Sequence, residues 1–123
     1  MNGLDLAVDT NIFVYLTSGN KNVHRAVQGN NLFVSFITEM ELLSWPAASS
    51  RELQLIKQLM SQCKIISLND EAKKIAIDIR RRSKLRLPDA IVAATSIYLN
   101  VPLISADREF KKVIGLELIL LSV

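Results

Sequence analysis

Short apolar runs alternate with segments of helical period along this chain, and that alternation restricts its fold more than any other feature. Five of the runs have the length of a β-strand: residues 4–8, 32–35, 64–68, 103–105 and 117–121. They are largely continuous in apolar residues, as is typical of parallel strands whose two faces are both covered by helices. The pattern therefore predicts an α/β fold, a three-layer sandwich with a mostly parallel central sheet.

The segments between these runs carry apolar residues at helical spacing. Residues 50–62 show it most clearly, with apolar side chains at steps of three and four. Asn69 or Asp70 is predicted to cap a helix, and Pro88 fits the first turn of another that runs to Leu99. Further helices are predicted over residues 12–17, 22–28, 38–45 and 108–112.

The chain has 123 residues, of which 50% are hydrophobic, so we expect one domain over residues 1–123. The single cysteine, Cys63, excludes a disulfide or a cysteine-based metal site within one chain. There is neither a basic leader segment nor an apolar run of about 18 residues. We therefore expect a cytoplasmic protein without a membrane partner.

Four acidic residues stand at boundaries between the predicted elements: Asp9, Glu41, Asp89 and Asp107. Asp9 follows the first strand and Asp107 the fourth, and these strands are neighbours in a sheet of order 3-2-1-4-5. Ligands of such sheets bind at the carboxyl ends of the strands, near the point where the strand order reverses. Asp9 and Asp107 should then face one crevice, whereas the spacing alone does not fix the distance to Asp89.

Carboxylates that converge in this way repel one another. Two of them about 4 Å apart repel by roughly 4 kcal/mol at an effective dielectric constant near 20. Protonation or a bound cation relieves that cost, and Mg²⁺ or Mn²⁺ prefers such oxygen ligands. Taken singly, each acid is also explained as a helix cap, a first-turn residue or a solvated side chain.

Other catalytic chemistries lack their residues. His24 is the one histidine, and the sequence holds no Gly-x-Ser-x-Gly elbow, phosphate-binding glycine loop or dinucleotide fingerprint. The acids are what remains, and they point to metal-dependent phosphodiester hydrolysis.

A basic run precedes Asp89 and consists of Arg80, Arg81, Arg82, Lys84 and Arg86. Such a run is commonly a solvated helix end. The alternative is a phosphate-binding rim beside the acidic pocket, which a nuclease needs. Aromatic residues form only 6% of the chain, so an RNA ligand would be contacted mainly at phosphate and sugar.

Four blocks of the sequence resemble the motifs of PIN domains, in the same order. They are residues 8–13 (VDTNIF), 35–43 (SFITEMELL), 87–95 (LPDAIVAAT) and 103–110 (LISADREF). Any one block is a weak signal, but together they span nearly the whole chain. The compact size is similar to that of the toxin in VapBC toxin–antitoxin pairs, the VapC-type toxin.

The resemblance implies an endoribonuclease that depends on Mg²⁺ or Mn²⁺, is neutralised by a cognate antitoxin and forms a homodimer. It assigns the acidic site to Asp9, Glu41, Asp89 and Asp107, with Asp9, Asp89 and Asp107 as the metal ligands. Thr10, Asn11 and Ser105 match the polar positions beside that site, and Ser105 stands where the family often has threonine. Glu39 remains an alternative to Glu41.

Two other functions stay open at this point. The first is a catalytically silent module of the same fold that binds RNA or protein. The second is a receiver-type signalling domain, which requires a pair of adjacent acids after the first strand and a lysine after the last strand. Here Asp9 is followed by Thr10 and Asn11, and no lysine follows Lys112. Trp45 is either a docking residue for an antitoxin, within the helices of residues 38–62, or part of the core.

Overall fold

A five-stranded sheet of order β3-β2-β1-β4-β5 forms the centre of the computed structural model, which describes residues 3–123. Strands β1 to β5 comprise Asp5–Val8, Asn31–Ser35, Lys64–Ile66, Leu103–Ser105 and Leu118–Leu120. Helices α1 to α6 comprise Thr10–Thr17, Lys21–Val27, Phe36–Leu43, Ser50–Ser61, Asp70–Ser83 and Leu87–Leu99, and a 3₁₀ helix covers Arg108–Lys112. All four strand pairs are parallel, which confirms the predicted fold class and strand order. This order differs from the 2-1-3-4-5 order of receiver-type domains.

The two faces of the sheet carry separate hydrophobic cores, so the molecule has three layers. Along β1, Ala7 belongs to the core beneath α5 and α6, whereas Val8 belongs to the core beneath α1, α2 and α4. In β4, Leu103 and Ile104 divide in the same way. Successive strand residues point to opposite faces, so continuously apolar strands supply both cores at once.

Helix α3 begins directly where β2 ends, without a loop. Ser35 is the last residue of the strand, and its hydroxyl accepts a hydrogen bond from the backbone N–H of Ile37 at 3.3 Å. Phe36 and Ile37 pack against the α5–α6 core, whereas Leu42 lies in the core on the other face. The helix therefore bridges the two cores at the carboxyl end of β2, and that position places Glu41.

The predicted bounds of this helix, residues 38–45, were wrong by two residues at each end. Ser35 starts α3 earlier because its side chain caps the helix. Ser44 ends it before Pro46 can, since its hydroxyl donates to the carbonyl of Met40. The other bounds that differ do so by one or two residues: β1 begins at Asp5 instead of Leu4, and β3 ends at Ile66 instead of Leu68.

Residues 3–123 form one sheet with its covering helices, and Met1 and Asn2 of the predicted domain lie outside the described residues. Over the same range, none of the helices combines the length and the apolar character needed to cross a membrane.

Candidate active site

Asp9 lies at the centre of the site, at the junction of β1 and α1. It is only 4% exposed, and its backbone N–H donates to the carbonyl of Ile104 in the neighbouring β4 at 3.1 Å. Both carboxylate oxygens accept hydrogen bonds of 2.8 Å, Oδ1 from the backbone N–H of Thr10 and Oδ2 from the hydroxyl of Ser105. The orientation of this buried carboxylate is therefore fixed by the pairing of β1 with β4.

The electrostatics of Asp9 show that the other acids lie near it. Burial raises the pKa of Asp9 to about 6, although the hydrogen bonds from Ser105 and Thr10 favour the charged form and lower it. The negative charges of Asp89 and Asp107 contribute smaller parts of the same rise in pKa. Asp89 and Asp107 therefore lie near enough to Asp9 for their charges to act on it.

Ser105 ties Asp9 to Asp107. Its hydroxyl donates to Asp9 and accepts a hydrogen bond from the backbone N–H of Asp107 at 3.0 Å. The Asp107 carboxylate in turn accepts from the backbone N–H of Glu109 at 2.9 Å, which caps the 3₁₀ helix. Asp107 therefore caps the 3₁₀ helix, as expected. The cap uses Oδ1 of its carboxylate and does not involve Oδ2.

A chain of hydroxyl groups links Glu41 to Thr10, the residue that follows Asp9. Thr10 Oγ1 donates to Glu41 Oε1 at 2.8 Å and lies 3.0 Å from Thr38 Oγ1. A threonine hydroxyl has a single proton, so Thr38 is the donor to Thr10. The sequence interpretation missed Thr38, although it is fully buried and lies three residues before Glu41 on the same helix face. The acid bonded to Thr10 is Glu41 and not Glu39.

Asp89 forms an ion pair within the first turn of α6. Arg86 Nε lies 3.3 Å from Asp89 Oδ2, and the side chains are 75% and 19% exposed, respectively. The hydrogen bond and the charge of Asp89 raise the pKa of Arg86, with smaller contributions from Glu41 and Asp107. One guanidinium group therefore lies in the field of three of the four acids.

The basic run does not form one continuous surface. Arg80 donates to the backbone carbonyl of Leu85, and Arg82 pairs with Asp78 at 2.8 Å. Arg81 and Arg82 border an open depression of about 500 Å³ on α5, lined by Lys74, Ile77, Asp78, Arg81 and Arg82. Lys84 ends α5 in the left-handed conformation, with φ 58°. Among residues 3–123, Arg86 is the only member of the run that pairs with one of the four acids.

The site is open to solvent beside Asp107. An open depression of about 360 Å³ there is lined by Asn11, Tyr15, Ala106, Asp107, Arg108 and Glu109. Asn11 is exposed on the first turn of α1, so its amide faces this depression. Of the four acids, Asp107 is the one that borders this depression.

The donor atoms suit a hard divalent cation, but they are not closed around one. Within the described range, no three carboxylate, imidazole or thiol groups are close enough to form a ready-made metal site. The side chains that act on the Asp9 carboxylate are the Ser105 hydroxyl and the carboxylates of Asp89 and Asp107, and such oxygen donors suit Mg²⁺ or Mn²⁺. Burial first, and then the negative charges of Asp89 and Asp107, raise the pKa of Asp9, and a bound cation would stabilise its charged form.

Solved structures with the same fold include toxin–antitoxin complexes. The chain matches VapBC2 from Rickettsia felis, bound to a DNA fragment from their promoter, with TM-score 0.81 and 19% identity over 94% of this chain and 97% of that one. A toxin–antitoxin complex from Klebsiella pneumoniae matches with TM-score 0.77 and 28% identity over 90% and 94%. VapBC-1 from nontypeable Haemophilus influenzae matches with TM-score 0.79 and 22% identity over 95% and 98%.

No curated protein matches the sequence significantly. A family model does, and its description is PIN domain. It covers residues 6–116, a range that includes all four acids and every hydroxyl group described above. On this match, the chain belongs to the PIN domain family.

Proposed function

We propose that the chain is an endoribonuclease that depends on Mg²⁺ or Mn²⁺ and is the toxin of a VapBC-type pair. The observation that carries the proposal is the buried Asp9 carboxylate, fixed by Ser105 and the backbone of Thr10, with Asp89 and Asp107 close enough to raise its pKa. Membership of the PIN domain family supports nuclease chemistry at this site.

Asp9, Asp89 and Asp107 would hold the cation, with Glu41 completing the acidic set. When bound, a Mg²⁺ or Mn²⁺ ion lowers the pKa of a water molecule and stabilises negative charge on the phosphoryl group. We expect Ser105 to keep one oxygen of Asp9 pointing into the site while its own oxygen holds the start of the Asp107 cap. Residues that orient metal ligands in this way commonly affect metal affinity or activity 10- to 100-fold.

The hydroxyl chain from Thr38 through Thr10 orients Glu41. Thr38 is fully buried on a helix that starts directly from β2, so packing holds the first hydroxyl of this chain in place. The position of Glu41 relative to Asp9 is therefore set before substrate binds, as efficient catalysis requires.

RNA is the substrate that the family resemblance implies. Low aromatic content favours recognition through phosphate and sugar. The alternative, a module that binds RNA or protein without turnover, shares the fold but has no need for a buried carboxylate with a raised pKa.

The matched structures also support a protein partner, an antitoxin, for this chain. Their printed descriptions name VapBC and toxin–antitoxin complexes. On α3, Met40 and Leu43 are large apolar side chains exposed at 58% and 42%, and they belong to the predicted docking region. Trp45 is partly buried and packs against the core beneath α4, so packing explains it without a partner. Homodimer formation remains a prediction from the family.

The catalytic proposal is tested by a cleavage assay on end-labelled single-stranded RNA with Mn²⁺ and with EDTA. We expect the wild type to shorten the RNA only with Mn²⁺, and Asp9→Asn to reduce the rate at least about a hundredfold. Asp78→Asn is the matched control, because Asp78 is an exposed aspartate paired away from the site. Wild-type cleavage by Asp9→Asn would refute the assignment, and a mobility shift without shortening would favour the silent binding module.

The partner proposal is tested by co-expression with the product of the adjacent open reading frame. We expect a short protein that copurifies with the chain and suppresses RNA cleavage. Replacement of the exposed Met40 and Leu43 side chains by polar ones should weaken copurification without reducing RNA cleavage by the isolated chain. A neighbour product that neither binds nor inhibits would contradict the toxin–antitoxin assignment while leaving the nuclease assignment intact.

A further inference from the structure

We propose that Arg86 is a built-in counter-ion that must release Asp89 before a divalent cation can bind there, and that the released guanidinium then contacts an RNA phosphate. The proposal rests on the proposed function and gives one member of the basic run a defined role. It predicts that metal and RNA favour each other's binding through this side chain.

The ion pair is asymmetric in its exposure. The Asp89 side chain is only 19% exposed and so keeps its place at the start of α6, whereas the Arg86 side chain is 75% exposed. An exposed pair at 3.3 Å is weakly held in water. Arg86 can therefore leave Asp89 by rotating its side chain into solvent, without disturbing the packed part of the helix.

The backbone that carries Arg86 is fixed. Leu85 is 4% exposed, and its carbonyl accepts a hydrogen bond from Arg80. The Arg86 carbonyl accepts from the backbone N–H of Ala90 at 3.0 Å, and Lys84 N–H donates to the carbonyl of Arg80 at 3.2 Å. The guanidinium is thus mobile on a rigid base that holds it beside the acids.

The surrounding charges make cation and arginine exclude each other. Besides Asp89, both Glu41 and Asp107 contribute to the negative field at Arg86. A divalent cation among these acids would cancel that field and repel the guanidinium. A phosphate drawn to the cation would then offer the arginine a new partner, and its planar fork suits phosphate oxygens. Two ligands that each favour the same rearrangement bind with positive coupling.

A second arginine–aspartate pair serves for comparison. Arg86 has the proposed role because it lies beside the four acids, and not simply because it pairs with an aspartate. Arg82 Nε lies 2.8 Å from Asp78 Oδ1, and these side chains are 72% and 61% exposed. Both pairs lie within one turn of helix and use the Nε atom, but Asp78 lies away from the four acids. Arg82→Gln is therefore the matched control for loss of a surface ion pair.

The first measurement is Mn²⁺ affinity of the RNA-free protein, read from the paramagnetic resonance signal of free Mn²⁺. We expect Arg86→Gln to bind Mn²⁺ about two- to fivefold more tightly than the wild type, the range that loss of an exposed ion pair supports. Arg82→Gln should match the wild type. Arg108→Gln, which removes a positive charge next to Asp107 in sequence, controls for charge loss alone and should have a smaller effect.

The second measurement is steady-state cleavage of single-stranded RNA at saturating Mn²⁺. Loss of a hydrogen bond to a charged group predicts a KM for RNA about tenfold higher in Arg86→Gln, with kcat nearly unchanged. The same variant should therefore bind metal more tightly and RNA more weakly, a pair of opposite effects that loss of folding does not produce. Because general loss of a positive charge acts in the same directions, the comparison with Arg82→Gln and Arg108→Gln must show that the effect is largest at Arg86.

Unchanged or weaker Mn²⁺ binding in Arg86→Gln would overturn the inference, as would equal tightening in Arg108→Gln. If the wild type still cleaves RNA in an Asp9-dependent way in either case, the proposed function stands alone. Absence of Mn²⁺ binding by the wild type, together with absence of cleavage, would instead refute both proposals.

Discussion

The acidic site has an inner wall and an outer rim that are held by different forces. The inner wall is Asp9 with Ser105, at the ends of two adjacent central strands, and both residues are buried. The outer rim is Asp89 and Asp107, at the starts of α6 and the 3₁₀ helix, where each is partly exposed. Hydrogen bonds fix the wall, whereas a solvent-exposed arginine balances part of the rim.

Because of this difference, the inner wall lowers the folding stability of the chain, whereas the outer rim can change the cation that it binds. A buried carboxylate loses its hydration and depends on the sheet for replacement hydrogen bonds, so it costs folding free energy. A carboxylate at an exposed helix start keeps some hydration and can exchange one cation for another. Substitutions in the wall should therefore change stability and its pH dependence, while those in the rim should change ligand affinity.

The largest stability effect is expected for Asp9→Asn in the metal-free protein. The pKa of Asp9 is about 6 in the folded chain, against an ordinary value of 3.8. Between these pH values the unfolded chain has lost the proton that the folded chain keeps, so the free energy of unfolding falls as pH rises. At pH 7 this lowers stability by about 3 kcal/mol, since each pKa unit corresponds to about 1.36 kcal/mol.

Asp9→Asn should therefore be more stable than the wild type at pH 7, by up to about 3 kcal/mol, and show no such gain below pH 4. Urea unfolding in EDTA at both pH values measures the difference. Asp78→Asn, in an exposed pair, is the control and should follow the wild type. If the stability of Asp9→Asn and of the wild type changed with pH in the same way, Asp9 would not be the residue whose raised pKa destabilises the folded chain.

Ser105→Ala should come next in size. The change removes the donor to Asp9 and the acceptor for the Asp107 N–H, and leaving buried polar groups unpaired costs about 1–3 kcal/mol. It should also raise the pKa of Asp9 above about 6, because the Ser105 hydrogen bond lowers that value. The fall in stability with pH would then extend to higher pH in urea unfolding.

Ser96→Ala is the control for Ser105→Ala. Ser96 is fully buried, and its hydroxyl donates to the carbonyl of Val101, away from the acids. We expect a loss of stability of similar size without any change in its pH dependence. Identical pH profiles for the two variants would contradict the role of Ser105 in the wall.

Thr38→Val tests the hydroxyl chain to Glu41. It keeps the shape of the side chain but removes one hydrogen bond, so we expect a loss of about 1 kcal/mol in unfolding free energy. Thr95→Val is the control, because the buried Thr95 hydroxyl donates only to the carbonyl of Ile91. RNA cleavage should fall about tenfold in Thr38→Val alone, as for other residues that orient a site carboxylate. Equal cleavage rates in both variants would remove Thr38 from the site.

The smallest effect is expected for Arg82→Gln, which breaks an exposed ion pair outside the site. Surface pairs of this kind contribute little to stability, so the urea midpoint should match that of the wild type. A shift as large as that of Ser105→Ala would show that surface charge, and not the buried wall, dominates the stability of this chain.

The prediction of the fold succeeded because its signals are local and repeated. The continuously apolar strands predict a parallel sheet covered on both faces. Helix starts are predicted by Asn69, by Pro88 and by the amphipathic segment of residues 50–62, and the structure confirms them within one or two residues. The C-terminal bound of α3 was missed because proline was taken as the stop signal, although Ser44 ends the helix earlier. The N-terminal bound was missed because the cap formed by Ser35 was not recognised.

The site was only partly readable in the same way. Asp9 and Asp107 could be placed together from strand order, because parallel strands bring their carboxyl ends to one edge. Thr38 could not, since its role depends on a hydroxyl 28 residues away in the chain. The sequence also could not show which arginine of the basic run lies beside the acids. Only the helix geometry shows that Arg82 pairs with Asp78, whereas Arg86 pairs with Asp89.

By itself, the sequence determined the layered α/β architecture and predicted four acids as the candidate site, because hydrophobic period and residue type act over a few neighbouring positions. Tertiary structure alone decided which oxygen atoms meet, how deeply Asp9 is buried and which arginine faces the acids. Those properties depend on desolvation and on distances between residues far apart in the chain, and neither is set until the sheet and its helices have packed together.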